Sequence, residues 1–166
     1  MTKIDLKTLN EYEKDGWIKS QKHPYLPLLI WNYTPQTQYS KYWTEVTLQC
    51  RGLVTNLDGV IVARPFKKFF NYEELNPEDI PNEDYVIYEK MDGSLGILFY
   101  YEYDLIEKEK YDKSNYEPTP KRKGEWVFAT RGSFTSPQSI KGKELLKKYP
   151  LDKLNKNNTY LFEIIY

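Results

Sequence analysis

A lysine followed at once by a tight turn is the chain's clearest chemical signal. In Tyr88-Glu89-Lys90-Met91-Asp92-Gly93-Ser94 the amine of Lys90 arrives after an apolar run, Tyr85 to Tyr88, and just before an Asp-Gly pair. A second apolar run, Leu95 to Phe99, leaves the turn. A strand and turn of this kind could hold one amine over a pocket as a nucleophile. An amine attacks only when neutral, so enclosure and nearby cations are expected to lower the Lys90 pKa. Gly93 can adopt backbone angles closed to other residues, and Gly96 lets a ligand or another backbone come close. The plainer reading is a solvated lysine beside a β-turn.

Four further constellations could serve an anionic substrate. Arg51-Gly52 offers a guanidinium fork whose geometry suits a phosphate, against an ordinary strand-end arginine. Arg64 to Asn71 interleaves basic and aromatic residues, which suits phosphate contact with base stacking. There the favoured reading makes Phe66, Phe69 and Phe70 core residues with snorkelling lysines. Arg131-Gly132-Ser133 ends an apolar stretch where backbone amides could also meet an anion. Glu163 sits alone inside the apolar run Tyr160 to Tyr166. A carboxylate there costs energy without a partner, so it is read as a buried ion pair or as a ribose- or metal-facing group.

These residues need elements to position them. Asp5 to Asp15 reads as a short amphipathic helix with Ile4, Leu9 and Tyr12 on one face and Gly16 as its stop. Leu28 to Tyr33 reads as a strand and Thr34 to Ser40 as a loop. Gln49 to Thr55 and Val60 to Arg64 flank Asn56-Leu57-Asp58-Gly59, which predicts a hairpin. Tyr85 to Lys90 and Gly96 to Tyr103 read as strands around the lysine turn. Asp104 to Lys123, charged and nearly free of aliphatics, reads as an exposed connection. Glu125 to Arg131 returns to strand character. Ser139 to Tyr149 reads as a helix with Leu145 and Leu146 inward and lysines outward, and Thr159 to Tyr166 as a last strand. The fold class is α+β, mostly antiparallel sheets with a few helices.

Composition narrows the function classes. The 166 residues fit one domain. Lys+Arg and Asp+Glu balance at 24 each, so any basic surface must be local. The six lysines between Lys141 and Lys156 could form such a surface or a solvated helix face. One cysteine, Cys50, leaves no intramolecular disulfide and no multi-cysteine zinc site, and fits a reducing, intracellular setting. The first residues lack the apolar core of a signal peptide. No apolar run approaches the roughly 18 residues needed to span a bilayer, so no membrane partner is expected.

In order, Arg51-Gly52, Lys68-Phe69-Phe70-Asn71, Lys90-Met91-Asp92-Gly93-Ser94, Arg131-Gly132-Ser133 and Phe162-Glu163-Ile164 form a series. The series resembles the N-terminal part of the adenylyltransferase domain of phage-type ATP-dependent RNA ligases, the tRNA-mending kind, from about Trp31 to Tyr166. The resemblance implies that Lys90 attacks the α-phosphate of ATP and becomes the AMP-bearing lysine. It implies that Arg51, Lys68 and Arg131 contact the triphosphate, and that Glu163 faces the nucleotide sugar and the metal region. Asp92 and Gly93 match the motif's supporting acid and turn. ATP and magnesium are the implied cofactors. RNA ends, including those of a nicked tRNA, are the implied substrate, and a phage-encoded cytoplasmic protein the implied setting. The family's pattern continues to a second metal-facing glutamate, a Lys-x-Lys motif and a C-terminal domain. Residues 1–166 are therefore expected to form the N-terminal portion of that domain, with a second chain as a candidate source of the remaining motifs. Two rivals stay open: a DNA ligase or mRNA capping-type nucleotidyltransferase, and a non-catalytic nucleotide- or RNA-binding relative.

Overall fold

The computed structural model describes residues 3–105 and 121–165. Two antiparallel sheets face each other, with a helix on the outer side of each. The first sheet takes β1 (Ile18–Lys22), β2 (Leu28–Tyr33), β3 (Arg51–Asn56) and β4 (Ile61–Ala63) in sequence order. The second places the long β5 (Ser94–Leu105) between β6 (Lys121–Thr130) and β7 (Tyr160–Ile164). Helix α1 (Leu6–Lys14) lies on the first sheet and α4 (Pro137–Leu146) on the second.

Alternation along the strands explains these layers. Side chains of successive strand residues point to opposite faces. Ile30 and Val54 meet Ile97, Phe99, Val127 and Phe134 in the core between the sheets. Their neighbours Trp31 and Leu53 point outward and are buried under Leu9 of α1. Leu98 and Phe128 likewise pack outward against Leu146 of α4. Cys50 closes the core under α1, and burial pushes its thiol up to about 12.

Several elements follow their local chemistry. Asp5 caps α1 by accepting from the Lys7 amide at 3.0 Å. The Asn56–Gly59 turn joins β3 to β4 as expected, with the Asn56 amide donating to the Val60 carbonyl. Thr34 to Ser40, read as a loop, contains a one-turn helix, α2 (Pro35–Tyr39). Thr34 caps it and Pro35 occupies its first position, both strong start signals. Gln49 belongs to α3 (Glu45–Gln49), started by a Thr44–Thr47 capping box, and not to the strand that follows. Strand β1 has no counterpart in the sequence reading.

The largest departure is Tyr85 to Lys90. It forms no ladder among the described residues, and Tyr85, Val86, Ile87 and Tyr88 are 73–83 % exposed. Apolar composition favours a strand only where a partner offers hydrogen bonds, and none of the described residues pairs with this run. The expected connection from Asp104 to Lys123 is shorter than read. β5 extends to Leu105 and β6 begins at Lys121, with Asp104 opposite Arg122 and 3.6 Å from its Nε. The intervening part lies outside the described residues. The last strand pairs with β5 along one edge, while Phe162 and Ile165 stay exposed.

Candidate active site

Strand pairing gathers distant parts of the sequence at one end of the two sheets. The start of β5 lies against the end of β7, with Leu95 opposite Glu163, and against the end of β6, with Gly96 opposite Thr130. Arg131 follows Thr130, and Lys90 precedes β5 by one turn. Gly93 approaches the Ile164 carbonyl so closely that a β-carbon would collide with it. Close approach is thus what this position requires, because Gly93 does not adopt a positive φ. Gly96 likewise accommodates the Phe128 ring, which a β-carbon would strike.

Arg51 arrives from the other sheet. The β2–β3 register slips between Trp31 and Asn32, leaving Gly52 as the extra residue of a bulge. Gly52 has φ +90°, a conformation that L side chains rarely adopt, and a β-carbon there would strike the Ile97 side chain. The bulge sets Asn32 opposite Arg51 and brings β3 against the Arg131 backbone.

A cavity of about 1020 Å³ results, lined by Arg51, Lys90, Gly93, Arg131 and Glu163 among others. Lys68 and Asp92 are outside its lining. Phe66 and Phe69, expected as core, are 67 % and 57 % exposed and form part of the cavity wall. The segment that carries them pairs with no strand among the described residues, which leaves both rings largely exposed.

Burial pushes the Arg51 guanidinium down from its ordinary value, Tyr33 opposes that, and the charge of Arg131 adds to it. Arg51 lies 4.7 Å over the Phe69 ring, and its Nη1 is buried without a hydrogen-bond partner among the described residues. Arg131 lies 5.3 Å over the Tyr33 ring and donates to its hydroxyl at 3.3 Å. The Lys68 ammonium rests 4.1 Å over Phe70 and donates to the Phe69 carbonyl. Burial lowers its pKa most, Glu74 opposes, and the charges of Arg51 and Arg131 lower it further. Lys68 therefore feels the arginines electrostatically while lying outside the cavity they line.

Lys90 departs from expectation. Its side chain is 78 % exposed, and Nζ donates to Asp92 Oδ1 at 2.6 Å. That hydrogen bond and the Asp92 charge raise its pKa, where a nucleophilic amine needs it lowered. The same contact holds Asp92 below the usual carboxylate range. In this arrangement the amine is charged.

Among the described residues no group of three or more His, Cys, Asp or Glu side chains could hold a metal ion. Glu163 is the carboxylate in the cavity wall. Magnesium commonly takes one or two protein carboxylates and fills its shell with phosphates and water, and a single Glu163 fits that pattern. Lys19, Asn32, Ser136 and Gln138 also line the cavity, and sequence reasoning did not find them. Asn32 alone left a signal, as a polar residue within the apolar run Leu28 to Tyr33.

An antiparallel α+β scaffold with Arg51, Lys90, Arg131 and Glu163 around one cavity has the chemistry of an anion-binding protein. A family model described as RNA ligase matches residues 49–165. The chain belongs to the RNA ligase family of the T4 type. It is similar to a protein of Thermovibrio ammonificans provisionally named an RNA ligase, 31 % identical over 159 residues. That alignment covers 95 % of this chain and 36 % of the relative. It is also similar to a protein of Autographa californica nuclear polyhedrosis virus provisionally named a bifunctional polynucleotide kinase/RNA ligase. There it is 34 % identical over 99 residues, covering 53 % of this chain and 11 % of the relative. The chain thus spans about a third of one relative's length and about a tenth of the other's. No helix among the described residues is long and apolar enough to cross a membrane.

Proposed function

We propose that this chain is the nucleotide-holding part of an ATP-dependent RNA ligase, with Lys90 as the AMP-bearing lysine. The observation that carries the proposal is the convergence of Arg51, Lys90, Arg131 and Glu163, from four separate segments, on one cavity. Residues 1–166 would form the N-terminal portion of an adenylyltransferase domain, alone or with a second chain. In the first step the neutral Lys90 amine attacks the α-phosphorus of ATP. A P–N bond forms as the bond to pyrophosphate breaks, and the amine loses its proton. In the second, an RNA 5′-phosphate oxygen attacks the same phosphorus and the P–N bond breaks. In the third, an RNA 3′-hydroxyl attacks the 5′-phosphorus and AMP leaves.

The roles of the chain's own groups follow from charge. Arg51 and Arg131 would bind the phosphates and stabilise charge that develops in transfer. Lys68 would join them after a small shift from its place over Phe70. Phe66 and Phe69 offer rings for the adenine to pack against. Glu163 would face the sugar and hold magnesium, which supplies charge neutralisation to the phosphates when bound. Asp92 holds the amine of Lys90 in its charged form, so the first step requires that this contact open.

The pairing of Lys90 with Asp92 favours one second reading, a relative that binds nucleotide or RNA without forming the lysyl bond. Binding itself tests the shared premise. Titration with magnesium-ATP should give a saturable isotherm, and Arg51→Ala and Arg131→Ala should each weaken it. A charge-assisted hydrogen bond contributes about 1.5–3 kcal/mol, so the loss should be on the order of tenfold to a hundredfold. Unchanged affinity in both variants would remove the phosphate role.

A further inference from the structure

The polar row that begins at Arg51 does not end there. Cross-strand partners share a face of a sheet. Arg51 of β3 lies opposite Asn32 of β2, and Asn32 lies opposite Lys19 of β1. Three polar groups therefore run in line across three strands. The row leads away from Lys90 into a second cavity of about 320 Å³, which shares Lys19, Asn32 and Arg131 with the first.

Asn32 is the unusual member. It is 6 % exposed, and its side-chain carbonyl has no hydrogen-bond partner among the described residues. A buried polar atom left unpaired costs about 1–3 kcal/mol, so most are satisfied by protein, water or ligand. Half a turn of the amide would put its NH2 donor where the unpaired oxygen now lies. Neither Lys19 nor Arg131 has a carboxylate partner among the described residues. On the side of the first cavity, the first turn of the ten-residue α4 reaches the shared wall of Lys19, Asn32 and Arg131 through Ser136 and Gln138, and adds the positive end of its dipole. At the outer rim stands Tyr39, 86 % exposed, with an open ring.

We propose that Lys19 and Asn32, with Arg131 and the start of α4, hold the 5′-phosphate of the RNA strand that accepts AMP. The inference rests on the proposed reading of the Arg51–Lys90 cavity as the nucleotide site. Asn32 lies opposite Arg51 and lines both cavities, so a phosphate held on it would lie beside the α-phosphate that Arg51 is proposed to bind. Tyr39 suits a nucleotide that continues outward, because bases of single strands stack on exposed aromatic rings. The triphosphate tail of ATP has no base to place there.

Binding separates this assignment from its rivals. The probes are a short 5′-phosphorylated RNA carrying a 3′ fluorophore, the same RNA with a 5′-hydroxyl, and ATP. The wild-type protein should prefer the phosphorylated RNA severalfold. Lys19→Gln, at an exposed position, should abolish that preference and leave ATP affinity unchanged. Asn32→Leu should do the same while thermal stability stays level or rises, because it removes an unpaired buried acceptor. Absence of a preference in the wild type, or its survival in Lys19→Gln, overturns the proposal. Equal loss of ATP affinity in Lys19→Gln also overturns it, by assigning the row to the triphosphate. A phosphate preference lost in Lys19→Gln, in a protein with no ATP affinity, would uphold this wall and defeat the nucleotide reading instead.

Discussion

Lys90 and Asp92 hold each other at 2.6 Å in full solvent, so the group with the strongest sequence signal is found in its unreactive form. The motif made the lysine's position legible. It could not make its protonation legible, because a pKa depends on what surrounds the amine in space. The expected enclosure would need groups over Lys90, and the described residues leave it exposed. Asp92→Asn removes the carboxylate whose hydrogen bond and charge raise the Lys90 pKa most, and leaves the smaller pull of Glu163. The neutral fraction of the amine then grows at any fixed pH below that pKa. Modification of Lys90 by an amine-directed reagent should accelerate in Asp92→Asn at mildly alkaline pH, measured by peptide mass analysis. An unchanged or slower rate would show that the carboxylate does not govern the amine.

Elements were legible where local chemistry decides them. The run Leu28 to Tyr33, the Asp-Gly hairpin and the capped helix after Asp5 each carry their own instructions. Strand β1 does not, because Ile18-Lys19-Ser20-Gln21-Lys22 is mostly polar and becomes a strand by pairing with β2. Tyr85 to Lys90 is the converse, an apolar run without a partner. The turn between β1 and β2 depends on His23, which is 4 % exposed. Its Nδ1 accepts from the Leu26 amide at 3.1 Å and the Tyr25 amide at 3.4 Å, and so carries no proton. Burial lowers its pKa, with the Lys143 charge adding to this and Glu125 opposing. Below the ordinary imidazole value near 6.5 the unfolded chain binds more protons than the folded one. Stability contributed by neutral His23 should therefore be lost as pH falls through about 6.5 toward the lower folded value. Denaturant melts across that range should show the fall, and His23→Gln should flatten it. An equal pH slope in the variant would assign it elsewhere.

At the scale of the molecule, one core joins both sheets and sets the cavity at their common end. Phe134 is fully buried between them and touches the His23 ring edge-on at 4.7 Å. Phe134→Ala should cost about 3–5 kcal/mol. Trp31 in the first sheet and Trp126 in the second should report one shared unfolding midpoint, where two separate midpoints would mean that the sheets fold independently. The α+β class and the order of motifs were legible along the chain. The Lys19–Asn32–Arg51 row was not, because it exists only through strand register and a bulge at Gly52. The proposed chemistry turns on Lys90 as the carrier of AMP. Incubation with magnesium and ATP labelled at the α-phosphate, followed by peptide mapping, tests it most directly. AMP is expected on Lys90, and its loss in Lys90→Ala with the fold intact. AMP on any other lysine, or a protein that binds ATP and carries no AMP, would contradict it.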